Sequence, residues 1–525
     1  MINLRRPVLR SPVKRTVAAA GTAALVAGLA ACGGSSSATT DQNPEQLTIA
    51  ASTEPKSLDP ADAADYANYA LNGLIYSPLF MKDEKGEPQP VLAKDYSVSE
   101  DKTKWTINLK EGISFSDGTP FNAEAVCYNV DRLIDPESSY GASARWNVVD
   151  GCETISDSQV VLDTGEPYAL LMTSILSHPP MSQMVSPSME EFGDEKGSNP
   201  VGTGPYKITN WANGSKVSLE KNPEYNAEVL GEAPVFDTVE WRIVAEDTTR
   251  VLQLESGEVD FAYNIPSTST DQLESNGNVE LIKVAGRFAQ YSLNATKEPF
   301  DDVKVRQAAN HAVNKEQIAK ELLNGEAKVA TGSAGSAAQG FAPVGQYEYD
   351  PEKAKKLLEE AGAVGAEVAI TTPVGRYPQD KVVAEAVTQQ LNEVGFKATT
   401  NAIGDWPTLQ KDMFSDKLQT AYMAWSPGAV EALYEQWDGC TKSQWALGHH
   451  CVPKLTELRE EASAEFDEGK RAALEEELQQ TAFDQALGLY MFEINDVNGQ
   501  STALETIYED PMTYVNFLTA KPKEG

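Results

Sequence analysis

Asn199-Pro200-Val201-Gly202-Thr203-Gly204-Pro205-Tyr206 places two prolines and two glycines in eight residues, a density that neither a helix nor a central strand tolerates. A long run of helix and strand signals precedes it. An apolar strand signal, Tyr206 to Trp211, follows at once. The stretch reads as a stiff passage from one lobe to another.

Working outward downstream, Val239 to Val244 reads as a strand, Asp247 to Leu254 as a helix ended by Gly257, and Val259 to Ala262 as another strand. That order implies parallel neighbours with a ligand crevice at their C-terminal ends. Tyr263 and Asn264 stand at such an end and are candidate cleft residues. A second unit follows, with strands over Val368 to Thr371 and Lys397 to Ile403 around a helix over Asp380 to Val394. Arg376 lies in its first loop, a crevice position from which a guanidinium grips a carboxylate. Thr420 to Trp425 is a further strand ending on Trp425. Two α/β lobes are therefore expected. One helix is read from Asp301 to Leu323, stopped by Gly325, and another from the Asp350-Pro351 cap to Gly362. His311, mid-helix beside alanines, reads as a packed or interface histidine rather than a ligand. Val452 to Ala486 reads as a long helical region with its acidic runs in solvent, and Leu489 to Ile494 as a last strand. The small-residue stretch Ala330 to Gln339, with Gly332, Gly335 and the following Gly340, reads as a flexible loop that lacks the lysine and spacing of a phosphate-binding loop.

Upstream, Leu47 to Ala51 is a short strand, and Tyr66, Tyr69 and Leu74 fall at helical spacings. Trp105 to Leu109 alternates as a half-buried strand, and Asn122 caps a helix reaching Ile134. Asp117 and Glu124 sit in a turn and a first helical turn, so the pair is read as structural. Tyr66 and Trp146 join the aromatic candidates for the cleft.

Residues 1–31 read as a leader outside the fold: Arg5, Arg6, Arg10, Lys14 and Arg15 precede a short apolar run from Val17 to Leu29. Leu29-Ala30-Ala31-Cys32 resembles a bacterial lipobox, with Cys32 as the lipidated first residue. Residues 32–46 then form a polar tether. The implied location is the extracytoplasmic face of the cell membrane, held by lipid. The chain has 78 acidic and 43 basic residues, and removing the basic leader leaves it more acidic still. Such a charge argues against nucleic acid and anionic lipid as partners. Its 525 residues exceed one core, so two or three domains are expected. A secreted hydrolase is the competing class. Against it, the chain has four histidines and no Gly-x-Ser-x-Gly or His-Glu-x-x-His pattern.

The ordered set of motifs resembles family 5 of the solute-binding proteins of ABC importers, the dipeptide, oligopeptide and nickel binders. Pro200 to Tyr206 is similar to the family's PVGTGPY signature. Ser57-Leu58-Asp59-Pro60, Ile75 to Phe80, Leu109 to Phe121, Lys221 to Tyr225, Ser256 to Asp260 and Arg306-Gln307-Ala308 follow the same pattern. The resemblance covers nearly everything from Leu47 onward. It implies a type II periplasmic-binding-protein-like α/β fold (cluster C), with two lobes, an extra domain and a ligand cleft between the lobes. The implied boundaries are lobe I at 47–77, 200–300 and 495–525, the extra domain at 78–199, and lobe II at 301–494. It also implies a monomer that hands a small peptide-like ligand to ABC permease subunits, with no catalytic residue, metal or cofactor. A nickel or metal-chelate binder is the alternative within the family.

Two site expectations come with the resemblance. In peptide-binding relatives a tryptophan at the place of Trp425 lines the pocket, and an aspartate three residues later holds the peptide ammonium. Here that place is Gly428, and Glu431 is the nearest acid. Cys127, Cys152, Cys440 and Cys451 remain after lipidation and read as two disulfides, for which three pairings exist. The local pairs Cys127–Cys152 and Cys440–Cys451 are expected, the second matching a bridge that some dipeptide binders carry. His449-His450-Cys451 also offers metal-ligand types, but adjacent residues on a strand face opposite ways, so the tract is read as a bridge beside exposed histidines.

Overall fold

A computed structural model describes residues 45–523, except 63–65, 84–85, 232, 426–427, 436, 441–447 and 508–513 and the side chains of 66, 194, 285–286 and 432. The leader, Cys32 and nearly all of the tether lie outside the described residues, as does the Tyr66 side chain.

Gly202 and Gly204 explain the passage. A Cβ on Gly202 would come within 2.2 Å of the Ile75 carbonyl oxygen, and one on Gly204 within 2.4 Å of the Ile75 carbonyl carbon. Neither glycine has a positive φ, so close approach of two backbones, rather than turn geometry, demands them. Gly204 N–H donates to Ile75 O (2.8 Å), and Asn222 Nδ2 to Gly204 O (2.8 Å). The outgoing chain at Ile75–Ser77 and the returning chain at Val201–Pro205 thus cross as one zipped pair. Between these crossings the extra domain forms a four-stranded antiparallel sheet in the order Ala93–Val98, Lys104–Leu109, Gln159–Asp163, Gly151–Ser156. Helix Ala123–Ile134 covers it, with the Asn122 side chain accepting from Ala125 N–H (3.0 Å). The core of this domain is continuous with that of lobe I, from Trp105 and Leu162 to Leu47 and Trp241. A Cys127–Cys152 disulfide, the expected pair, ties the helix to the sheet.

Lobe I has the parallel order anticipated: Gln46–Ala51 lies between Thr238–Ile243 and Phe261–Ala262, parallel to both. Helix Asp247–Ser256 joins the outer two and stops at Gly257, at φ 73°. The C-terminal tail returns here, packing Phe517 on Trp241 and Phe261.

Two long strands, Val279–Leu293 and Gly488–Ser501, run antiparallel through both lobes. They make one nine-stranded sheet among the described residues, with Phe261–Ala262 beside one end and Thr420–Trp425 beside the other. The ladder is interrupted between Ala285 and Arg287, where Arg287 and Asp496 form a nearly buried ion pair.

Lobe II adds the parallel pair Glu367–Pro373 and Lys397–Ile403, bridged by helix Asp380–Val394. Two long helices expected from the sequence are broken. The first is Val303–Ala312 and Lys315–Leu322, because Asn314 accepts from Gln317 N–H (2.9 Å) and starts a new helix. The second is Pro453–Ala464 and Glu468–Asp484, restarted by Asp467, which accepts from Lys470 N–H (2.9 Å). Nor is every acid there solvated: Glu475 is buried. Cys440–Cys451 is the second disulfide.

Candidate functional site

Three loops leave the C-terminal ends of neighbouring lobe II strands. The loop after Glu367–Pro373 carries Arg376, the one after Lys397–Ile403 leads into Trp406, and Thr420–Trp425 ends on Trp425. Asp405 caps helix Trp406–Phe414 by accepting from Thr408 N–H (3.0 Å), which puts Trp406 at the strand ends. Trp406, Met423 and Trp425 share one apolar cluster, and the Arg376 guanidinium lies 3.7 Å from the Trp406 ring centroid. Arg376 is exposed and has no acidic partner among the described residues. Trp425 is half-buried, with its indole N–H turned inward and without a hydrogen-bond partner among the described residues. The wall offers aromatic faces and a guanidinium whose only hydrogen bond among the described residues is from Nε to Tyr377 Oη (3.4 Å), a set suited to a small solute bearing a carboxylate.

The facing elements of lobe I end at Ser52 and Asn264. Asn264 is exposed, holds φ 53°, and donates from Nδ2 to Ser52 Oγ (3.1 Å). Its conformation is set from below by Arg250, a fully buried side chain. Arg250 donates to Asn264 O (2.7 Å), Tyr263 O (2.9 Å) and Val244 O (2.8 Å), so one guanidinium ties two crevice loops together. Across the gap, Lys56 helps hold the exposed Asp405 carboxyl below its usual range, after the larger effect of its bond to Thr408. Asn324 Nδ2 of lobe II also donates to Ser267 O of lobe I (3.1 Å).

The sequence candidates divide accordingly. Arg376 and Trp425 both stand at lobe II strand ends, Arg376 on Trp406 and Trp425 against the same apolar cluster as Trp406, and Asn264 is exposed at a lobe I strand end. Tyr263 does not line the crevice: it is 2% exposed and packs on Trp241, Phe261 and Phe517 in the lobe I core. Trp146 is 1% exposed in the extra-domain core, with its indole donating to Met181 O (3.1 Å). Glu431 is buried against Glu475, and burial first, then that neighbour, pushes its carboxyl well above the usual range. A carboxyl buried in a helical cluster is not placed to stand in for the aspartate that Gly428 replaces. His450 is buried too, not exposed; its Nε2 bonds Leu487 O (2.8 Å), and burial pushes its pKa down to about 3. Trp406, Arg250 and Asp380 were missed. Trp406 was detectable, since Gly404-Asp405-Trp406-Pro407 directly follows a strand in a strand–helix–strand unit. A recess of about 610 Å³ lies elsewhere, on the extra-domain sheet beside Lys94, Asn108 and Gln159.

Two lobes joined by a two-strand crossing, with facing crevice walls at their strand ends, define a binding protein of the type II periplasmic class. Residues 87–445 match the model of the bacterial extracellular solute-binding proteins, family 5 (middle region). The glutathione-binding protein GsiB of Escherichia coli (strain K12) is 32% identical over 408 residues, 77% of each chain. Among solved structures, DppA from Helicobacter pylori in complex with the peptide STSA is 23% identical, with a TM-score of 0.79 over 91% of this chain and 98% of that one. The oligopeptide-binding AppA from Bacillus subtilis in complex with a nonapeptide is 20% identical, with a TM-score of 0.79 over 91% and 99%. The chain belongs to family 5 of the bacterial extracellular solute-binding proteins, which serve ABC importers; it is a binding protein and not an enzyme. No helix among the described residues is long and apolar enough to cross a membrane.

Proposed function

We propose that this chain is a lipid-anchored receptor whose cargo is a short peptide-like solute with a free carboxylate, held between the Arg376–Trp406–Trp425 wall and the Ser52–Asn264 rim. The observation that carries this reading is Arg376, an arginine laid on an aromatic face at the strand ends with no acid to pair with among the described residues. The names of the similar proteins, one a glutathione binder and two solved with peptides, support the class. A ligand touching both walls favours the closed form, so closure reports occupancy to the permease. With Gly428 in place of the aspartate and Glu431 buried, neither position offers an exposed carboxylate where peptide-binding relatives hold an ammonium. Cargo binding therefore tolerates N-acetylation and suffers from C-terminal amidation. Calorimetry with glutathione and tripeptides in free, acetylated and amidated forms tests this; a larger loss on acetylation than on amidation overturns it. The anchor rests on Leu29-Ala30-Ala31-Cys32 after a basic, apolar leader. Cys32→Ser releases the protein from membranes, and a variant that stays bound refutes the anchor.

A further inference from the structure

We infer that Asp380 is a positioning residue that fixes Arg376 for the ligand carboxylate. Asp380 is 3% exposed, and its carboxylate faces no cation among the described residues. Instead it accepts four backbone N–H groups: Oδ1 from Gly375 (3.1 Å) and Lys381 (2.7 Å), Oδ2 from Arg376 (2.9 Å) and Tyr377 (3.1 Å). Three consecutive amides around one carboxylate wrap the loop into a closed nest. The wrap needs left-handed backbone at Gly375 (φ 75°) and at Gln379 (φ 52°), an uncommon conformation for a residue with a side chain.

The same loop is pinned on its other side. Tyr377 is buried with its ring edge-on to Tyr422 (5.6 Å). Arg376 is thus held between two fixed points, its own amide on Asp380 and its neighbour's ring on the lobe II core. Its guanidinium lies over Trp406 (3.7 Å to the ring centroid) and its Nε donates to Tyr377 Oη (3.4 Å), so the pinned tyrosine also steadies the side chain. A helix start needs one accepted N–H from its cap; here four are gathered, three of them from the loop that carries the guanidinium. Because a charge-assisted bidentate contact tolerates little misplacement, loosening this loop weakens carboxylate capture while leaving the aromatic contacts in place.

The inference rests on the reading of Arg376 as the carboxylate partner, and the experiment separates the two. The probe is a mixture of tripeptides and glutathione offered as free acids or as C-terminal amides, with captured ligand quantified by native mass spectrometry. Wild type is expected to favour the acids by about tenfold, the worth of one charged hydrogen-bonded contact. Arg376→Met abolishes that preference. Asp380→Asn, which keeps the size but loses the charge and one acceptor, reduces it towards one without reducing capture of the amides, and the double variant is no worse than Arg376→Met. Asp380→Ser, which keeps a hydroxyl acceptor, gives the same comparison if the asparagine variant does not fold. If Arg376→Met removes the preference and both Asp380 variants keep it, Asp380 is only a helix start and the inference falls. If wild type shows no preference or captures nothing, the reading of Arg376 falls and takes the inference with it.

Discussion

Trp425 ends its strand half-buried, packed against the cluster of Met413 and Ala421 that Trp406 and Met423 also cover, and against the cluster of Val430 and Tyr434. Such an anchor contributes by its apolar area. Trp425→Ala is expected to weaken cargo binding by about 2 kcal/mol or more, over tenfold in Kd by calorimetry. At the same scale, Tyr263 shows how a candidate is misplaced. Side chains alternate along a strand, so Tyr263 shares the face of Phe261, which is core, and Asn264 is the first to emerge. Lys315 is a different case: a fully buried ammonium with Tyr347 O at 3.4 Å and the Tyr347 ring at 5.7 Å. Burial pushes its pKa from 10.5 down to about 7. Between those values the unfolded chain binds a proton that the folded chain does not, so this group's penalty is full below about pH 7 and fades as pH rises to 10.5. Lys315→Met is expected to raise stability at pH 7 by on the order of 2 kcal/mol and to flatten the rise in stability over that window, measured by urea unfolding.

At the scale of elements, most boundaries were legible because their causes are local. Helix Asp380–Val394 and strands Lys397–Ile403 and Thr420–Trp425 begin and end where period, cap and glycine predict. The two broken helices were run together although Asn314 and Asp467 each stand three residues before the amide they cap. An apolar period continued across both, and it masked the cap signal. The Pro/Gly passage is the sharper case: its composition announced a special crossing, but not that its glycines lie against Ile75. Gly202→Ala is expected to cost more than about 2 kcal/mol, since backbone atoms have to move to admit the methyl group. Thermal unfolding checks this, and Gly214→Ala, with nothing within 4 Å, is the control for glycine entropy and its φ of 71°.

For the whole molecule, the crossing between lobes is two antiparallel strands interrupted at one place, with Arg287 and Asp496 paired across the interruption. A β-bulge bends a ribbon, so this interruption is where rotation of the lobes is expected to be taken up. Removing one partner leaves the other charge nearly buried and unpaired. Arg287→Met is therefore expected to cost about 3 kcal/mol in urea unfolding, with Arg287→Met/Asp496→Leu recovering part of it. A double variant as unstable as the single refutes the pairing argument. The extra domain shares its core with lobe I, so these two are expected to unfold together.

Taken alone, the sequence established the order of elements, the two α/β units and the stiff passage, and its ordered motifs pointed to the family. These follow from φ limits, capping and hydrophobic period, which act over a few residues. Tertiary structure decided which strand-end residues are walls and which are core. It laid Arg376 on Trp406, put Trp406 and Trp425 against one apolar cluster, buried Glu431 against Glu475, and paired Arg287 with Asp496, 209 residues apart. Burial and pairing are properties of surfaces that meet only after folding, and no local pattern encodes which surfaces those are.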